Sequence, residues 1–133
     1  MKKRMKILMS IKPQFVEKIR RGEKKFEFRR TLPKQNIDGI IVYASSPISK
    51  VVGEIIIDCY LIGSVDYIWQ KTKDKSGLTY SEFINYFHGK KDANAISIKK
   101  YIAYEKPVAL KEIFPGKVPP QSYCYIEDDE QKI

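Results

Sequence analysis

Four short stretches of the 133-residue chain hold the side chains best suited to chemistry. The first is Ser10-Ile11-Lys12-Pro13, and the second is Gly22-Glu23-Lys24-Lys25-Phe26-Glu27-Phe28-Arg29-Arg30. Further on come Tyr43-Ala44-Ser45-Ser46-Pro47 and Pro119-Pro120-Gln121-Ser122-Tyr123. Lysine and arginine neutralise phosphates and release counterions, which gives salt-sensitive affinity without sequence preference. A tyrosine such as Tyr43 stacks on an unpaired base, worth roughly 1–3 kcal/mol by truncation. Glutamine and serine read a base edge or a 2′-hydroxyl. Glu27, set among cations, stays ionised and orients Lys24 or Arg29. Each feature also has a plainer reading. Glu27 with Lys25 or Arg29 makes a surface ion pair of little energy. Tyr43 makes a half-buried packing residue with a partnered hydroxyl, and Ser45-Ser46-Pro47 makes a turn.

Charge sharpens the choice. Residues 1–30 carry twelve basic side chains against Glu17, Glu23 and Glu27, and this excess of +9 is the whole formal charge of the chain. Such one-sidedness favours a polyanion, RNA or DNA, and says nothing about fold. A protein-interaction domain with an incidentally basic face is the competing class. No nucleophile elbow, phosphate-binding glycine loop or dinucleotide fingerprint is present, so no cofactor is expected. His88 is the only histidine, and Cys59 and Cys124 lie far apart, so a metal centre is not expected either. The two cysteines read as reduced core residues. His88 sits at an expected helix end, where it supports the C-terminus rather than acid–base chemistry. No apolar run reaches the roughly 20 residues of a membrane helix. The segment 7–11 is too short for a signal peptide, so the expected location is the cytoplasm, with no membrane partner.

These side chains need elements to hold them. The segment 7–11 reads as a short buried strand, and Pro13 then opens a helix, where its missing N–H costs nothing. Phe15, Val16 and Ile19 form an apolar helical stripe, with Lys18, Arg20 and Arg21 outside. Gly22 supplies the stop. Lys25 to Arg29 alternates, burying Phe26 and Phe28 and turning Lys25, Glu27 and Arg29 to the other face. Strands are expected over 39–44, 51–61 (with Gly53 at a bend) and 94–104, with weaker candidates at 107–110 and 122–126. Two helices fall between: 65–73 capped by Ser64, and 81–87 capped by Thr79 with Glu82 completing a capping box. Phe26, Phe28, Trp69, Phe83 and Phe87 follow strand or helix spacing and read as core. The pattern is α+β, without regular βαβ repetition.

Taken together, the four segments resemble the ASCH family, a branch of the PUA-like superfamily. The strand, the short helix ending in glycine and the Glu-Lys-x-x-Glu-x-Arg strand of residues 23–29 are the most specific part. The similarity runs from about residue 7 to residue 126. The resemblance implies a small β-barrel of five or six mostly antiparallel strands with flanking helices, over a domain 1–126, followed by an acidic tail 127–133. It also implies a cleft between barrel and first helix, where relatives engage RNA or a modified nucleoside. Lys12, Lys24, Glu27, Arg29 and Arg30 would line it, with Ser10, Tyr43, Ser45, Ser46, Gln121 and Ser122 contributing from strand ends.

Two functions follow from the resemblance. The first is a nucleic-acid-binding module, for RNA or a modified nucleoside, with a regulatory role. The alternative is a hydrolase, a ribonuclease or amidohydrolase, using Lys24 and Glu27. In an amidohydrolase relative a lysine and a threonine act from the segment equivalent to 22–29. Lys24 matches that lysine, but Glu27 stands where the threonine would be and cannot be the same nucleophile.

Overall fold

Alternating apolar residues and well-placed caps build most of the elements. The computed structural model describes residues 5–127. Lys2, Lys3 and Arg4 of the basic opening, and the tail from residue 128 on, lie outside the described residues. In chain order the elements are β1 (Met5–Ile11), α1 (Pro13–Arg20), β2 (Phe26–Arg29), β3 (Gly39–Ala44) and β4 (Lys50–Ser64). There follow α2 (Val65–Thr72), α3 (Tyr80–Tyr86), β5 (Asp92–Val108), α4 (Leu110–Ile113) and β6 (Tyr123–Glu127).

Pro13 opens α1, and Gly22, at φ 79°, takes the left-handed conformation just past it. Ser64 caps α2 by accepting from the Tyr67 amide. At α3 the expected capping box is formed in full: the Thr79 hydroxyl accepts from the Glu82 amide, and the Glu82 carboxylate accepts from the Thr79 amide.

The strands form one sheet in the order β2-β5-β4-β3-β1-β6, with β1 parallel to β3 and every other neighbouring pair antiparallel. Register shifts between Val42 and Tyr43 and at three places along β4 bend the long strands. Gly53 sits at one of them, where an added Cβ would lie 2.6 Å from the Ile102 carbonyl oxygen. One face buries Ile7, Met9, Ile11, Ile40, Val42, Ile55 and Ile96 with Val16 and Ile19 of α1. The other carries Leu8, Ile41, Val51, Ile113, Phe114 and Ile126. A third cluster, Phe28, Ile68, Phe83 and Phe87 with Phe26 and Trp69 packed on it, fixes α2 and α3 over β2 and β5. Phe28, Phe83 and Phe87 are buried core, as their spacing predicts, while Phe26 and Trp69 are only partly buried against them.

The sheet does not close as a barrel. Strands β2 and β6 end the hydrogen-bonded order, and no ladder joins them among the described residues. At four residues, β2 offers too short an edge for closure. A side chain spans the seam instead. Arg29, at the end of β2, donates from Nη2 to the Ser10 carbonyl of β1 and from Nη1 to the Ser122 hydroxyl beside β6, both at 3.2 Å.

Two further expectations change. No separate strand forms at 107–110: Val108 ends β5, and Leu110, Ile113 and Phe114 bury a helical i, i+3, i+4 face. Cys59 is exposed and Cys124 partly buried, and no disulfide joins them, so Cys59 is not a core residue. The register shift between Ile57 and Cys59 breaks the alternation that would have turned it inward. Among the described residues no helix is long and apolar enough to cross a membrane.

Candidate functional site

Beside the seam lies a cleft of about 880 Å³, walled by the β1–α1 turn, β2, the β3–β4 loop, α3 and the segment 119–121. Its floor begins at α1. The amides of Glu23 and Lys24 both fold back onto the Lys18 carbonyl, at 2.9 and 3.1 Å, and this turn swings Lys24 inward. Lys24 is only 3 % exposed. Its ammonium donates to the Ser76 carbonyl at 2.7 Å, sits 4.0 Å from Glu27 Oε1 and lies 4.8 Å from the Phe28 ring centroid.

Three successive carbonyls of one loop receive this basic segment. Lys75 accepts from the Lys25 amide, Ser76 from Lys24 Nζ, and Gly77 from Lys18 Nζ. Burial pushes the Lys24 ammonium below the ordinary lysine range; Glu27 opposes that shift, while Arg29 and Lys18 add to it.

Gly77 makes room for Lys24. Its φ is +73°, and a Cβ there would lie 2.8–2.9 Å from the Lys24 stem. Gly77→Ala is therefore expected to cost about 1–2 kcal/mol for its left-handed backbone, plus the cost of displacing Lys24. Gly89→Ala is the matched control, with φ +81° and nothing within 4 Å. Urea midpoints decide it: equal losses in the two variants would show that Lys24 is not held by this contact.

Glu27 is 7 % exposed and accepts from Arg29 Nη2 at 2.7 Å, so it is not half of a surface pair. The Arg29 Nε is buried without a partner among the described residues. Ser10 donates its hydroxyl to the Pro120 carbonyl at 2.6 Å, tying β1 to the opposite wall.

Ser10, Lys12, Lys24, Glu27, Arg29, Tyr43, Ser45, Ser46 and Gln121 all line the cleft. Ser122 stands behind the wall, as an acceptor for Arg29. Arg30 lies elsewhere. It is one residue past β2, where alternation turns it away from Arg29, and its Nη1 donates to the Tyr86 and His88 carbonyls at the end of α3. Tyr43 is 7 % exposed, so little of its ring is open to stacking. Among the described residues no three His, Cys, Asp or Glu side chains gather as metal ligands would.

Residues 9–107 match the family model of the ASCH domain. The chain belongs to the ASCH family. The crystal structure of ASCH from Zymomonas mobilis superposes on it with a TM-score of 0.85 at 28% identity, covering 94% of this chain and 90% of that one. A Zymomonas mobilis protein named ASCH domain-containing ribonuclease is 29% identical over 135 residues, 98% of this chain and 90% of that protein. A large ribosomal subunit protein uL22 from Ureaplasma parvum is 35% identical over 97 residues, 73% of this chain. The ASCH chain spans only about a third (31%) of that relative's length.

Part of the ASCH cleft was not among the sequence candidates. Glu82, Asn85 and Tyr86 reach it from α3, at i, i+3 and i+4 on one helical face. Phe15, Phe28 and Leu78 supply apolar wall, and Ser49 enters at φ 52°, a left-handed conformation uncommon outside glycine. The polar face of α3 is visible as a 3.6-residue period opposite Phe83 and Phe87. Which neighbour it meets is a tertiary fact that the period does not carry.

Proposed function

We propose that this cleft binds RNA, one nucleotide unit at a time. The observation that carries the reading is the convergence of nine sequence-derived candidates on a single hollow of about 880 Å³. That size falls within the roughly 300–1,000 Å³ of small-molecule sites and is far from a groove that would track a long strand. Tyr86, 37 % exposed, offers a stacking surface that Tyr43 does not. Asn85 and Gln121 present amides for a base edge, and Ser45, Ser46 and Ser49 present hydroxyls for a phosphate or a 2′-hydroxyl. The ribonuclease named among the relatives supports an RNA substrate class.

The cleft holds few free cations. Lys24 is engaged with Ser76, and Arg29 with Glu27, leaving Lys12 exposed at the mouth. The cleft by itself therefore neutralises about one phosphate, a log–log salt slope near −0.7. The test is titration of a labelled single-stranded RNA and of a single ribonucleotide at several salt concentrations. Saturable binding of both is expected; absence of either at low salt sinks the reading.

A second reading, cleavage of the bound RNA, is favoured by Lys24. A lysine held below its ordinary range and facing a nucleotide site is suited to accept a proton from an attacking hydroxyl. Glu27, bonded to Arg29, is a charge partner here and not a nucleophile.

A further inference from the structure

A strand with one nucleotide held in the cleft must cross the rim to continue, and the rim is uneven in charge. On the α1 side the adjoining groove presents Glu23, Asp74 and Glu82 against Lys18 and Lys75. Lys18 is already engaged with the Gly77 carbonyl. A polyanion gains little by leaving that way.

Past the end of α3 the sign reverses. Tyr86, a cleft-wall residue, is the last of the helix, and its carbonyl and that of His88 accept from Arg30 Nη1 at 2.8 and 3.0 Å. Arg30 Nη2 and Nε have no protein partner among the described residues, so a guanidinium already fixed in place keeps donors to spare. The chain turns at Gly89 (φ 81°), and the Lys90 amide donates to the Phe87 carbonyl at 2.9 Å. Lys90 and Lys91 are both exposed there, immediately before β5. The Asn94 side-chain amide holds the Arg29 and Arg30 carbonyls at 3.1 Å, so the strand end bearing Arg30 is fastened to β5 as well. Asp92 is the acid that comes next in sequence.

We propose, on the strength of the nucleotide reading of the cleft, that Arg30, Lys90 and Lys91 form a phosphate subsite for the flanking nucleotides. Arg30 then has a place in function despite lying outside the hollow. The cleft selects a unit, and the rim beyond Tyr86 supplies affinity that grows with strand length.

The test uses the full chain, an eight-nucleotide oligouridylate and uridine monophosphate, with wild type and the Lys90→Glu/Lys91→Glu variant. Both lysines are exposed, and an unchanged thermal midpoint verifies the fold. The variant is expected to lose about tenfold in oligonucleotide affinity at low salt, with a salt slope shallower by about 1. Its affinity for the mononucleotide should stay within about twofold of wild type, since both lysines meet phosphates outside the cleft. Unchanged oligonucleotide affinity and slope would overturn the subsite. Equal losses for both ligands would overturn it too, by reducing the lysines to a general field effect. Wild type binding neither ligand would remove the nucleotide reading itself, and the subsite with it.

Discussion

Arg29→Met is expected to lower folding stability by about 3–5 kcal/mol, the usual cost of removing one member of a buried ion pair. The side chains of Arg29 and Glu27 are 12 % and 9 % exposed and meet at 2.7 Å. Without the guanidinium, the Glu27 carboxylate keeps Lys24 Nζ, 4.0 Å away, as its remaining ion-pair neighbour. The seam loses two more bonds, to the Ser10 carbonyl and the Ser122 hydroxyl. The double variant Glu27→Gln/Arg29→Met should recover part of the loss, because the carboxylate is no longer stranded, while Lys24 keeps the Ser76 carbonyl but loses its countercharge. Urea unfolding of the three proteins measures this. A single-variant loss below about 1 kcal/mol would mean that solvent reaches the pair and weakens it to the level of a surface bridge.

Lys24→Met carries the largest expected effect on chemistry. If bound RNA is cleaved, turnover should fall by roughly 10²–10⁴, the usual contribution of a positioned proton-transfer group, while nucleotide affinity changes much less. Stability should move the other way. Folding holds the Lys24 pKa below its ordinary value of 10.5, so the folded state disfavours the protonated amine. Wild type therefore gains stability as pH rises from the folded pKa toward 10.5, and carries the full penalty below that window. The methionine variant has no such group. It should equal or exceed wild type in stability at pH 7, with its advantage shrinking as pH approaches 10.5. Denaturant midpoints from pH 7 to 10 follow both proteins; parallel curves would show that Lys24 is solvated and poorly placed for proton transfer.

Local chemistry made much of this architecture legible. Pro13 and Gly22 bracket α1, Thr79 and Glu82 announce α3, and the alternation of Phe26 to Arg29 puts Glu27 and Arg29 on one side of β2. Arg30, which the resemblance put in the cleft, sits one position further along that alternation and is bonded to the end of α3 instead. Other features depend on neighbours distant in sequence. The burial of Lys24 depends on the loop 75–77, which local spacing does not reveal. Cys59 reads as core until a register shift turns it out. The open seam depends on where β2 stops relative to β6, and no periodicity encodes that.

The tie between Ser10 and Pro120 spans 110 positions along the chain. Strand β1, the first of the sheet to be made, has β6, the last, as one of its two neighbours. A polypeptide still emerging from the ribosome can already carry Lys24, Glu27 and Arg29, yet it lacks Gln121, Ser122 and the strand beyond them. No such partly synthesised copy can present a finished pocket, and whatever the site does to its ligand is withheld until the segment 119–127 has been made.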